Sequence, residues 1–374
     1  MPTAPDVASV PVLEVVVSTR TGGGPQHVYA LATALKDRGF TPIVAGPRDG
    51  PVALSLDAAG IEMIELRTDR LRPDIVFRLA RLIAARKIRL VHSHGKGAGV
   101  HARLAARLRG VPAIHTLHGI HFERYSPLGR AAYLALERRL AAWTHAVVNV
   151  SRAQEAEGLA LRLFTPAQSR VIPNGVDVTA LAARALDREQ ARARLGLPAT
   201  AVVVGSAARF DAVKGHDLLL AAVARIRDPA LHLVLIGGGP GEAGLRARAA
   251  ADDLRGRVHF AGEIPDAARL LPAFDVYASA SSKEGLPLAV LEAMVLGLPV
   301  VASDIPAHRE LLGESECPLV ARSAEALARG IQALAGDADR RRVLGAESRA
   351  RARRLDAPRM IDDVECLYRA AIGL

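Results

Sequence analysis

Short runs rich in β-branched and other apolar residues recur along the chain, and most are followed by a stretch with helical periodicity. The first series occupies residues 12–17, 42–45, 61–64, 90–92, 112–115, 146–150 and 170–172; the second occupies 202–207, 232–236, 258–260, 276–278 and 299–302. Strands separated by helices cannot pair as hairpins. They pair in parallel, and a parallel sheet needs helices on both faces. Two series in 374 residues exceed one ordinary core and predict two doubly wound, Rossmann-like α/β domains. The turn-rich segment 172–177 (Ile-Pro-Asn-Gly-Val-Asp) marks the join, giving domains at 1–178 and 179–357. A last amphipathic helix is expected within residues 358–374. Ligands of such sheets bind beyond the carboxyl ends of the strands.

Composition narrows the chemistry. Cys317 and Cys366 are too few for a disulfide framework, which fits a reducing, cytoplasmic compartment. Glu14 interrupts the only apolar run near the start, so no signal peptide is expected, and charge interrupts every longer apolar run. Residues 1–178 carry 23 Lys+Arg against 14 Asp+Glu, whereas the remainder carries 26 against 25. The basicity therefore belongs to the first half, which suits an anionic lipid surface or a phosphorylated substrate. Nucleic acid is disfavoured, because only 3% of residues are aromatic and they do not alternate with basic ones. Arg67, Arg70, Arg72, Arg78, Arg81, Arg86, Lys87 and Arg89 form the most basic segment. Arg103, Arg107 and Arg109 on the next helix are expected to extend its face.

The stretch 281–294 reads Ser-Ser-Lys-Glu-Gly-Leu-Pro-Leu-Ala-Val-Leu-Glu-Ala-Met. It follows an apolar run and opens a helical pattern, so it is a strand, a tight turn and a helix N-terminus. Gly285 and Pro287 turn the backbone, and the first N–H groups of the helix face the space beyond the strand. Glu284 and Glu292 can each accept two hydrogen bonds from vicinal hydroxyls. Each alone is equally an ordinary first-turn acid or a solvated helix residue. The segment 206–215 (Ser-Ala-Ala-Arg-Phe-Asp-Ala-Val-Lys-Gly) likewise links a strand to a helix and offers Arg209 and Lys214 as cations.

Together with residues 297–303, the 281–294 stretch resembles the Glu-x7-Glu signature of retaining family 4 glycosyltransferases, which have the GT-B fold of two Rossmann-like domains facing across a cleft. Residues 206–215 match the family's Arg-x4-Lys-Gly element, with Ala208 where glycine is usual. Residues 90–99 and 114–119 resemble members that build bacterial surface polysaccharides. The resemblance implies that Arg209 and Lys214 neutralise a leaving diphosphate, assisted by the backbone of Gly285, Leu286, Pro287 and Leu288. Glu292 would bind ribose and Ile264 the nucleobase through its backbone, while Glu284 would be catalytic, holding the hexose hydroxyls near the anomeric carbon in a same-face attack or acting as a covalent nucleophile. Gly23 and Gly24 would line a cleft loop, and His118 would be the catalytic histidine beside the donor sugar, with His115 and His121 as other candidates. It implies a nucleotide-sugar donor, no cofactor and no metal. It also implies a hydroxyl acceptor such as a prenyl-diphosphate-linked saccharide, reached from the inner membrane face, and a final helix crossing back to the first domain.

Other readings stay open. The glycine loops 21–26 and 237–241 fail both the dinucleotide fingerprint and the Walker A pattern. A nucleotide-sugar isomerase or a phosphorylase would use the same two-domain fold. The cluster His92, His94, His101, His115, His118 and His121 also admits a zinc hydrolase, although no acidic ligand is evident nearby in sequence. A polyanion-binding protein without catalysis would keep the basic face alone.

Overall fold

The computed structural model describes residues 9–120, 122 and 125–374. Two compact units divide the chain: one runs to Asn174 and takes up Ala357–Leu374, the other is Gly175–Asp356.

The first unit contains β1 (Val10–Val16), β2 (Phe40–Gly46), β3 (Glu62–Glu65), β4 (Leu90–His94), β5 (Ala113–Thr116), β6 (Ala146–Asn149) and β7 (Ser169–Val171). They form a parallel sheet in the order β3-β2-β1-β4-β5-β6-β7. Side chains alternate across it. Leu13 and Val15 enter the core beneath helices Pro73–Ala85 and Lys96–Arg109, while Val12 packs with Leu31, Leu35 and the C-terminal helix Ala357–Ile372. Strand period then sends Glu14 to the side of Val12. Met360, Ile361, Val364, Leu367 and Tyr368 recur at helical spacing and form the buried stripe of that last helix. Each such side chain contributes about 1.5–3 kcal/mol if fully buried.

Helix Pro73–Ala85 begins with proline at its first turn and buries Ile75, Leu79, Ala80 and Ile83, leaving Arg78 and Arg81 exposed. Arg107 and Arg109 are exposed on the following helix, but Arg103 is not part of that basic face. It is 1% exposed and bonds Glu137 at 2.7 Å, because its side chain turns inward to a second buried charge. No helix among the described residues is long and apolar enough to cross a membrane.

The second unit contains β8 (Val202–Ala207), β9 (Leu231–Ile236), β10 (Val258–Gly262), β11 (Val276–Ser279), β12 (Val300–Ser303) and β13 (Leu319–Val320). Their order is β10-β9-β8-β11-β12-β13, again parallel. The two-residue β13 was not anticipated, since so short an edge strand carries no periodic signal. In each sheet the strand order reverses beside the unit's first strand, between β1 and β4 and between β8 and β11. Those crevices are where an open α/β sheet receives ligands.

Gly215 holds one of them in shape. Its φ is +67°, and a β-carbon there would lie 2.3 Å from the Ala280 carbonyl oxygen at the end of β11. Left-handed backbone costs an L-residue about 1–2 kcal/mol before any clash. Gly215→Ala should therefore lower the urea midpoint of unfolding by an amount equivalent to at least about 1 kcal/mol, whereas Gly244→Ala, with open space around it, should not.

Candidate functional site

At the β1/β4 crevice the polar groups form one connected set. Glu14 on β1 is fully buried. The Tyr368 hydroxyl donates to its Oε1 at 2.5 Å and His94 Nε2 bonds its Oε2 at 2.7 Å. His92 Nδ1 lies 2.6 Å from the Tyr368 oxygen, and its Nε2 lies 2.7 Å from the Thr116 hydroxyl. The carboxylate accepts, so His94 carries its proton on Nε2 and presents a lone pair at Nδ1. His118 Nε2 sits 3.0 Å from that Nδ1. His27 completes the group, its ring edge-on to His118 at 5.0 Å between centroids, with Nδ1 3.0 Å from Asn174 Oδ1.

His118 is the partly exposed member and stands in the left-handed region at φ +51°. That is uncommon for a residue with a β-carbon and marks a backbone held in place for its side chain. Gly24 faces the ring: a β-carbon there would lie 3.6 Å from His118 Cδ2, an ordinary van der Waals contact. Gly23 and Gly24 are the opening residues of helix Gly23–Lys36 rather than loop positions. Burial disfavours the charged form of His27, His92 and His118. It lowers His27 to about 3, with the neighbouring His94 adding to the effect, and lowers His92 and His118 well below the usual histidine range.

His115 faces elsewhere, buried against Ser93 Oγ at 2.9 Å, and its Nε2 has no hydrogen-bond partner. Burial, then the Arg103 charge, lowers it also. His121 lies outside the described residues. The acidic partner that the sequence did not reveal is Glu14, far from the histidines along the chain and adjacent to them across the β1–β4 pairing. Tyr368, His27 and Asn174 were missed for the same reason.

At the β8/β11 crevice Lys214 donates to both oxygens of Glu284, at 2.7 and 2.9 Å, and the Ser281 hydroxyl donates to Oε1 at 2.7 Å. Lys214 is thus already paired. Arg209 is mostly exposed and reaches Asp211 at 2.9 Å. The glycine loop fixes its backbone: Phe210 N–H donates to Gly238 O at 2.7 Å, and Gly241 N–H donates to Phe210 O at 2.8 Å. Gly285, Leu286 and Pro287 form the turn after β11, and Leu288 starts helix Leu288–Val295, whose N-terminus has no side-chain cap. Buried His308 lies behind, bonded to Ser303 O at 2.7 Å and Ser279 Oγ at 3.2 Å.

Burial pushes the Glu292 carboxyl up to about 7, against a smaller opposite effect of Arg184. Burial raises the Tyr277 phenol too, with further upward contributions from Glu292 and Glu284. Ile264 lines a cavity of about 240 Å³ with Val234, His259, Phe260 and Ala261.

Residues 21–180 match the family profile "Glycosyltransferase Family 4", and residues 187–351 match "Glycosyl transferases group 1". The D-inositol 3-phosphate glycosyltransferase of Saccharomonospora viridis is 32% identical over 316 residues, covering 76% of this chain and 70% of that protein. The chain belongs to the family 4 glycosyltransferases. This glycosyltransferase is also similar to the UDP-Gal:alpha-D-GlcNAc-diphosphoundecaprenol alpha-1,3-galactosyltransferase of Escherichia coli, 30% identical over 234 residues, 61% of this chain and 60% of that one. Among solved structures, Anabaena Alr3699/HepE in complex with UDP and glucose superposes with a TM-score of 0.85. That match covers 96% of this chain and all of the other, at 22% identity. The shared architecture is the GT-B pair of parallel-sheet α/β domains.

The buried imidazoles give this glycosyltransferase a defined pH response. The folded pKa values of His27, His92 and His118 lie below the unfolded 6.5, so the stability they contribute is present above pH 6.5 and lost as pH falls, for His27 toward 3. Glu292 acts oppositely: its contribution is present below 4.5 and lost as pH rises through about 7. Unfolding free energy should drop between pH 6.5 and about 5 by up to about 1.4 kcal/mol per pH unit for each histidine held neutral. His27→Gln should make that slope shallower, as measured by urea titrations across the range.

Proposed function

We propose that this glycosyltransferase moves a hexose from a nucleoside diphosphate donor to a hydroxyl of a lipid-linked or surface-polysaccharide precursor, with retention at the anomeric carbon. The observation that carries the reading is the second unit's crevice: an exposed Arg209, an exchangeable Lys214–Glu284 pair and an uncapped helix N-terminus beside β8 and β11. Cations and free N–H groups stabilise charge on a departing diphosphate. The Lys214–Glu284 pair explains how the site holds itself without a donor. Diphosphate draws Lys214 away, and Glu284, still held by Ser281, becomes free to accept from hexose hydroxyls.

In the reaction the acceptor oxygen bonds the anomeric carbon as the bond from that carbon to phosphate oxygen breaks. The departing phosphate keeps the electron pair and takes the acceptor proton on the same face. Glu292 accepts from the two ribose hydroxyls, Ile264 meets the base through its backbone, and the Gly285–Leu288 backbone supports the diphosphate. From the first unit, His118 is the group assigned to the sugar, and its neutral state suits a hydrogen bond to a hydroxyl. Two cations on the diphosphate make a metal unnecessary for this step. The names of the relatives support the substrate class, one acting on a diphosphoundecaprenol-linked sugar and another on an inositol phosphate. Access to a lipid-linked acceptor is supported by Leu71, Phe77 and Leu108, which are 70%, 59% and 58% exposed beside Arg70, Arg78, Arg81, Arg107 and Arg109.

Thermal unfolding against UDP-, GDP-, ADP- and dTDP-sugars tests the donor site, since a ligand bound only by the folded state raises the midpoint. One nucleotide sugar should raise it in the presence of chelator, and Arg209→Ala and Glu292→Ala should abolish the shift; a panel that leaves it unmoved would sink the reading. A ribose contact that needs ionised Glu292 makes affinity strengthen as pH rises through about 7. Glu292→Gln should bind more weakly and without that dependence, as read by calorimetry. The anomeric configuration of the product, read by NMR, decides between retention and inversion.

A further inference from the structure

The hydrogen bonds to Glu14, Tyr368 and Thr116 and between His94 and His118 account for three of the four imidazoles at the β1/β4 crevice. They do not account for His27. Its ring is 2% exposed, its Nδ1 bonds Asn174, and its Nε2 is buried with no hydrogen-bond partner. A buried polar atom without a partner is unfavourable and calls for an explanation, such as an ion that completes it. One nitrogen each from His27, His94 and His118 lies within 4.8 Å of the others.

The outer contacts are those of a metal centre. Asn174 Oδ1 accepts from His27 Nδ1–H, which leaves the Nε2 lone pair free. Glu14 accepts from His94 Nε2–H, which leaves the lone pair on Nδ1. Metal-bound histidines characteristically donate their second N–H to a carboxylate or carbonyl in this way, which fixes the tautomer and raises ligand basicity. His118 needs only to carry its proton on Nδ1 for Nε2 to become the third donor. Three nitrogens about 2.0–2.1 Å from a tetrahedral zinc stand roughly 3.4 Å apart. Closing the triangle therefore takes small side-chain movements: the His94–His118 pair opens slightly from 3.0 Å and His27 moves in.

We propose that His27, His94 and His118 form a binding site for a zinc-class divalent transition ion, with Asn174 and Glu14 as its outer supports and the fourth position open on the exposed side of His118. All five residues belong to the first unit, and the transfer chemistry proposed above does not call on an ion there. An ion here withdraws His118 from any sugar, which makes the site inhibitory if His118 serves the transfer as assigned above. The binding itself stands whether or not that assignment does.

The test uses the full chain without a histidine tag, stripped by chelator. Zn2+ affinity is measured by competition with a chromophoric chelator, and Co2+ reports geometry through its visible ligand-field absorption. One equivalent should bind with the spectrum of a tetrahedral nitrogen-rich site. Asn174→Ala and Glu14→Gln should each weaken binding by about 10–100-fold, and His27→Ala should weaken it at least as much. Exposed His145→Ala and second-unit Arg209→Ala should leave it unchanged. Because Glu14→Gln disturbs a buried network and can unfold the chain, His27→Ala and Asn174→Ala carry the decision, each checked for cooperative unfolding without metal. Absence of binding by the wild type, or equal affinity in wild type and His27→Ala, overturns the site and leaves the cluster a hydrogen-bonded relay. Nucleotide-sugar thermal shifts on the same samples are scored separately, so failure of the donor reading is not confused with failure of this one.

Discussion

A carboxylate at the centre of the first strand has to be satisfied, and much of the first unit is arranged around that requirement. Glu14 is fully buried between neighbours that are apolar. Leaving such a group without donors costs several kcal/mol, or forces it to take up a proton. Its two oxygens receive Tyr368 from one direction and His94 from another. Tyr368 comes from the far end of the sequence, so the apolar stripe of helix Ala357–Ile372 and the polar contact of Glu14 hold the same element in place. Docking by oil alone tolerates slippage along or around a helix, whereas a 2.5 Å hydrogen bond from one hydroxyl fixes rotation and register together. The helix is thereby part of the crevice chemistry as well as part of the core.

The second unit handles a carboxylate in a different manner. Glu284 is held by Lys214 and Ser281 near the surface, where water and an incoming anion can compete for the ammonium. Such a pair is exchangeable, because both side chains keep some contact with solvent and each partner has an alternative. Glu14 has no such alternative. One topology thus provides a locked carboxylate that positions neutral imidazoles, and an exchangeable one that trades partners with a cation. Both stand at the reversal of strand order, since the helices leave a parallel sheet in opposite directions there and part to open a crevice.

Much of this was legible in the sequence. Strand runs separated by amphipathic segments dictated parallel sheets, and the Glu-x7-Glu and Arg-x4-Lys-Gly spacings marked the second crevice because their residues are local to one turn or one loop. What escaped were contacts made across the sheet. Glu14 read as an interruption of an apolar run, useful only against a signal peptide, because periodicity states which face a residue takes and not what waits there. Arg103 read with Arg107 and Arg109 as one basic face, since Glu137, its buried partner, lies on another helix. Among the histidines, His115 and His118 were indistinguishable by spacing. Burial against Ser93 assigns one to the core, and a left-handed backbone with partial exposure sets the other at the crevice.

The two crevices also divide the electrostatics. The described polar groups at the first are carboxylate, phenol, amide and imidazole, and burial keeps His27, His92 and His118 uncharged near neutral pH. Those at the second include the Arg209 guanidinium and the Lys214 ammonium. A diphosphate, with its concentrated negative charge, is matched by the second and poorly by the first. Neutral nitrogens are matched instead to hydroxyls, or to a soft cation that seeks lone pairs. The two units thus offer crevices of different electrostatic character, a division that the separation of basic and balanced halves in the sequence does not reveal. The excess of arginine lies on the outside of the first unit, while its crevice is lined by groups that carry no net positive charge.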